Sequence, residues 1–138
     1  MYQRKDYLLR LFEEFARMLA KLVGLKLSGK YKEALDLVEH SYKDFFRLDK
    51  KQVDECPDGE LLQLLSSQDI IEVQQLSALA DLLRQEGEIQ RLIGNEDEAR
   101  SKLGKALLLL RYVNETEVHV FSFERNRKIA EIRELLNG

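Results

Sequence analysis

Residues 93–110 read IGNEDEARSKLGKALLLL and residues 28–46 read SGKYKEALDLVEHSYKDFF. In each, a glycine (Gly94 or Gly29) is followed five residues later by an alanine (Ala99 or Ala34) and then by an apolar stripe at helical spacing. Glycine suits a sharp break in the chain, and alanine lets a neighbouring helix come close. One turn and one helix are therefore written twice.

The segments on either side extend the pattern. From Tyr7 to Leu27, the residues Leu8, Leu11, Phe15, Met18, Leu22 and Leu25 recur at spacings of three and four, the pattern of one helix face. Phe12, Ala16, Leu19, Ala20, Val23 and Leu27 add a second apolar face, and Arg17, Lys21 and Ser28 leave a narrow polar stripe. A helix apolar on most sides is expected to be buried by several neighbours or by another chain. After Ser28-Gly29, Tyr31, Ala34, Leu35, Val38, Tyr42, Phe45 and Phe46 form the next stripe, and the short connection makes the two helices an antiparallel hairpin.

Asp49 to Gly59, polar and holding the lone proline, reads as the main loop. Glu60 to Ser67 reads as a short helix started by Pro57 and Asp58. A long helix is expected from Asp69 to Ile93, with Gly87 permitting a close neighbour. A further helix starts at Asn95, whose capping box would include Glu98. Asn114 is expected to stop that helix and Thr116 to cap a last one through Val118, Phe121, Ile129, Ile132 and Leu136. The reading is all-α: antiparallel helical hairpins, about five long helices plus one short, in a single domain over 1–138. Its parts are a first hairpin at 1–48, a loop and short helix at 49–68, a second hairpin at 69–114 and a C-terminal capping helix at 115–138.

The pattern resembles the tetratricopeptide repeat, a 34-residue helical hairpin. With Gly94 in the turn, Gly87, Ala99 and Ala106 fall on the family's small-residue positions. The earlier copy keeps Gly29, Tyr31 and Ala34 but has Leu22 and Ser41 at the other small positions, and Phe46 and Arg111 stand where the closing proline belongs. The two turns are 65 residues apart, close to twice the period, with the loop and short helix between them. The opening MYQRKDYLLRLFEEFARMLAKLVGLKLSGKYKEALDLVE is also similar to the start of a bacterial domain family of unknown function with a tetratricopeptide-like fold. These resemblances imply a right-handed stack of hairpins, a bundle or short solenoid, and a non-catalytic protein-protein interaction or assembly role.

Composition narrows the chemistry. The chain has 22 basic and 25 acidic residues, a net charge of −3 and a single cysteine, so a nucleic-acid partner is disfavoured and an intramolecular disulfide is excluded. The charged N-terminus lacks the core of a signal peptide, and no run is long and apolar enough to span a bilayer, so the expected location is cytoplasmic with no membrane partner. His40 and His119 lack the spacing of a zinc helix, and Glu115 with His119 offers too few ligands, so no metal is expected. Cys56 lies between Glu55 and Pro57, where acidic neighbours oppose thiolate formation. No phosphate loop or nucleophile elbow is present. No catalytic residue, no cofactor and no enzymatic activity are expected.

The resemblance also implies where a partner sits, because first helices line the concave face of such stacks. The earlier copy would offer Ala16, Leu19, Ala20, Val23 and Leu27, and the later one Asp81, Arg84, Gln85, Glu88 and Arg91. One patch is apolar and the other charged. The last helix of the chain itself, a peptide, an amphipathic helix or a second copy in a homodimer would each cover the apolar one. Arg125, Arg127 and Lys128 form a basic cluster that could meet an acidic partner. The alternative is a small enzyme or ligand-binding domain whose pocket lies between helices and carries no linear motif.

Overall fold

The structure is a computed structural model that describes residues 4–138; the first three residues of the N-terminal segment lie outside it. Among the described residues the elements are α1 (Arg4–Leu27), α2 (Tyr31–Phe46), α3 (Lys50–Glu55), a 3-10 turn (Asp58–Glu60), α4 (Leu61–Ser67), α5 (Val73–Leu92), α6 (Glu96–Thr116) and α7 (Phe123–Asn137). The described residues are all-helical, with five long helices and two short ones where the sequence reading had five long and one short.

Both glycine turns form. Gly29 and Gly94 have φ of 74° and 92°, in the left-handed region that side chains avoid. Beyond each glycine the next amide reaches back to close the preceding helix, Lys30 N–H to Leu25 O at 3.0 Å and Asn95 N–H to Gln90 O at 2.8 Å. The following helices then turn back, α2 onto α1 and α6 onto α5. Helix α5 is the hub: it packs on α6 along its length and also touches α1 and α2. Leu79, Leu82, Leu83 and Ile89 on α5 meet Leu103, Ala106, Leu109 and Val113 on α6 in one core, all at 1% exposure or less. At the other end Phe15 meets the rings of Phe45 and Phe46 edge-on, with centroids 5.3 and 5.9 Å apart.

Several boundaries differ from the sequence expectation. The polar stretch after Asp49 is partly helix: the Asp49 amide donates to Gln52 Oε1 at 2.9 Å and Val53 is buried, so one apolar anchor and one cap suffice for α3. Helix α5 begins at Val73 because Asp69 is left-handed at φ 62° and Gln75 Oε1 accepts from the Glu72 amide at 3.2 Å. Asn95 makes no side-chain cap; its amide donates to Gln90 Oε1 at 2.9 Å instead. Asn114 does not stop α6, which runs to Thr116, and the Thr116 hydroxyl donates back to Val113 O. Ser122 caps α7, its Oγ accepting from the Arg125 amide at 3.1 Å. Val118 and Phe121 consequently lie in an exposed connection and not on a helix face.

Gly87 sets the α5–α6 spacing. A Cβ there would lie 2.8 Å from Leu103 Cγ and 3.1 Å from the Ala99 carbonyl oxygen, and Ala99 itself is fully buried. Gly87→Ala should therefore lower stability by roughly 1–3 kcal/mol despite its better helix propensity. A urea midpoint at or above that of the wild type would contradict this packing.

Candidate functional site

The ten residues expected to meet a partner fall on α1 and α5, two helices in contact with each other. On α1, Ala16 and Ala20 are exposed, Leu19 and Val23 are half-buried and Leu27 is 79% exposed. Exposed Leu9 and half-buried Phe12 continue the same stripe toward the N-terminus. Helix α1 rests on α2 and α5, and its remaining apolar flank stays open, so burial on most sides does not occur within the chain.

The α5 residues are engaged in ion pairs. Lys128 of α7 bonds both Asp81 oxygens, at 3.0 and 3.2 Å. Arg84 donates to Glu88 at 3.0 Å and to Glu131 of α7 at 2.9 Å. Glu88 also meets Lys26 of α1 at 3.4 Å. Arg91 pairs with Glu96 at 2.7 Å and donates to the Leu135 carbonyl. The Oε1 atom of Gln85 is buried without a hydrogen bond among the described residues. Helices α1 and α7 thus both bond to α5 side chains, which leaves α5 an ion-paired face. The basic cluster is spent the same way, Arg125 on Asn114 and Glu117 and Arg127 on Glu131.

Beneath this face lies a network that the sequence reading did not find. Glu86 of α5 is fully buried, accepting from the Tyr42 hydroxyl at 2.6 Å and from Gln90 at 3.2 Å, and pairing with Lys50 of α3 at 2.9 Å. Lys102 of α6, also fully buried, meets Asp54 at 2.8 Å, Glu98 at 2.7 Å and Glu86 at 3.6 Å. Asp54, Glu86 and Glu98 bring carboxylate oxygens within 4.8 Å of one another, a spacing that would suit a metal ion. The Lys102 ammonium already sits among all three and Lys50 neutralises a further charge, so the donors serve lysines. The network joins α2, α3, α5 and α6. Its only trace in the sequence is that Glu86 and Lys102 fall among the core residues of α5 and α6.

The ionisable groups reflect this setting. Burial and the adjacent Glu86 carboxylate push Tyr42 well above its ordinary value of 10.0, keeping it a neutral donor. Burial opposes ionisation of Asp54, but hydrogen bonds from Lys102 and Lys50 overcome it and lower its pKa. Burial also opposes the charge on Lys102, and Glu86, Asp54 and Glu98 outweigh it, raising the pKa. The Cys56 thiol is raised, as expected, but first by burial and then by Glu60 and Asp58 against Lys105. His40 is exposed and bonds the Asp36 carbonyl at 2.8 Å, and His119 is exposed on the connection to α7.

Comparison with protein-family models, with curated proteins and with solved structures finds no match to this chain.

The network makes stability pH-dependent at both extremes. Asp54, lowered in the folded state, contributes at neutral pH, and this is lost as pH falls below its ordinary value of 3.8. Tyr42 and Lys102, both raised, contribute below their ordinary values of 10.0 and 10.5 and lose that contribution as pH rises above them. The urea midpoint should therefore fall above pH 10, and Tyr42→Phe should make that fall shallower; an unchanged alkaline limb would contradict the assignment. Lys102→Met should cost roughly 3–5 kcal/mol by leaving Glu86 underpaired, which denaturant unfolding would measure.

Proposed function

We propose that the chain is a non-catalytic protein-interaction module of tetratricopeptide-like type, which binds an amphipathic helix of a protein partner across α1, α5 and α7. Support for the architecture comes from the order of packing: α1 with α2, α2 with α5, α5 with α6, and α6 with α7. The close approach of Gly87 to Leu103 supports it as well.

One observation carries the binding reading. The open flank of α1, from Leu9 through Ala16 and Ala20 to Leu27, is apolar, and at its C-terminal end Lys26 ties α1 to Glu88 in the ion-paired row of α5. An occupant complementary to both has an apolar stripe for α1 and polar groups for α5, the make-up of an amphipathic helix. The flank spans about 27 Å at 1.5 Å per residue, so a partner helix of about five turns would cover it. Small residues at Ala16 and Ala20 would let the partner backbone come close. Self-association and a bound peptide compete for the same flank.

The test uses Ala20→Arg and Leu27→Arg, both at exposed positions and so expected to fold normally, with Lys32→Glu on exposed α2 as the control. Tagged wild type and Lys32→Glu should retain one defined protein from native lysate, which both arginine variants lose. Light scattering after size exclusion separates a foreign partner from a second copy. A monomeric wild type that retains nothing, or retention unaffected by either arginine, would overturn the proposal.

A further inference from the structure

Charge is distributed unevenly between α1 and the rest of the chain. The 24 residues of α1 hold six basic and three acidic side chains, a net of +3. The whole chain is −3, so everything outside α1 sums to −6. Arg10, Arg17 and Lys21, at intervals of seven and four residues, fall on one line along the helix, on the side opposite Lys26 and its partner Glu88 of α5. The open apolar flank lies between Lys26 and this line. All three cations are exposed, and none makes a hydrogen bond or ion pair among the described residues. The cations on the inner side are spent by contrast, Lys26, Arg84, Arg91 and Lys128 each being held by a carboxylate. Exposed Glu13 and Glu14 stand on either side of the line and leave it net positive.

An apolar strip bordered by unpaired cations suits an anionic occupant, either a lipid surface or a helix of another protein. Ala16 and Ala20, at the middle of the strip, favour the helix. Alanine offers a bilayer little apolar area to bury, whereas it lets the backbone of a second helix come close. A second copy of α1 is disfavoured by its charge, because it brings the same +3 and would set like charges edge to edge.

We propose that the occupant of the α1 flank is an acidic amphipathic helix of another protein, with its apolar stripe on Ala16, Ala20 and Leu27 and its carboxylates along Arg10, Arg17 and Lys21. This assignment rests on the interaction role proposed for that flank and names the chemistry of the partner.

The probes are two labelled helical peptides of about 18 residues, both with leucine and alanine in the apolar stripe, one with glutamate and the other with lysine at the flanking positions. Each is titrated into the intact protein and followed by fluorescence anisotropy, and vesicles of phosphatidylcholine with phosphatidylglycerol are tested by co-sedimentation. The glutamate peptide should bind saturably and at least about tenfold tighter than the lysine peptide. Raising NaCl from about 50 to about 500 mM should weaken it severalfold. Combining Arg10→Glu, Arg17→Glu and Lys21→Glu should reverse the preference, which loss of fold cannot do, and Lys32→Glu on α2 should leave it unchanged. Leu9→Ser with Leu27→Ser should weaken both peptides. Equal binding of the two peptides, lost in the serine variant, would keep α1 as a docking surface but overturn the acidic partner. Saturable binding of neither peptide, or vesicle binding that the triple charge reversal removes while neither peptide binds, would also overturn the proposal.

Discussion

Burying the Glu86 carboxylate in the middle of α5 is the constraint on which the arrangement of helices depends. A charge without access to water is tolerated only when paired and hydrogen-bonded, and here no single neighbouring helix supplies all the partners. The Tyr42 hydroxyl comes from α2, the Lys50 ammonium from α3 and Lys102 from α6. Apolar packing alone would accept several sliding arrangements of α2 against α5. A 2.6 Å bond from a fully buried tyrosine to a fully buried carboxylate accepts one.

That constraint explains why the short helix α3 exists at all. Its six residues are too few to hold a helix in isolation. Lys50 reaches into the network at one end, Asp54 meets Lys102 at the other, and Val53 is buried between them. The segment behaves as a strap that carries two charges to the centre. Without it, Glu86 and Lys102 would face each other at 3.6 Å with fewer partners.

What could be read from the sequence follows from which forces are local. The glycine turns at Gly29 and Gly94 and the close approach at Gly87 follow from backbone sterics, and the stripes of α1, α2, α5 and α6 from burial of one helix face. Helix α3 escaped because a single apolar residue makes no period. The start of α7 was misplaced because Val118 and Phe121 suit a helical stripe but stay 71% and 70% exposed. The ion network was invisible because carboxylates on an amphipathic helix usually solvate its outer face, so Glu86 reads from the sequence as a solvated residue, whereas it and Lys102 are fully buried. Of the ten residues expected to bind a partner, the apolar five sit on one helix as foreseen. Of the polar five, the four charged residues are already bonded within the chain and Gln85 Oε1 is not, because α7 lies close enough to α5 for Lys128, Glu131 and the Leu135 carbonyl to reach them. That proximity joins segments over 40 residues apart, and no local pattern encodes it.

The network and the exposed faces are linked through α5. Its inward side is held by Glu86, and Asp81, Arg84 and Glu88 tie it to α7 and α1, so the spacing of the outer helices depends on how firmly the hub is placed. Native-state hydrogen exchange of Glu86→Gln addresses this most directly. A central ionic lock predicts that amides of α3 and the C-terminal half of α2 lose protection while the α5–α6 core keeps most of its own. Unchanged protection in α3 and α2, with α5 and α6 also unaffected, would contradict the claim that this buried carboxylate holds the helices in register.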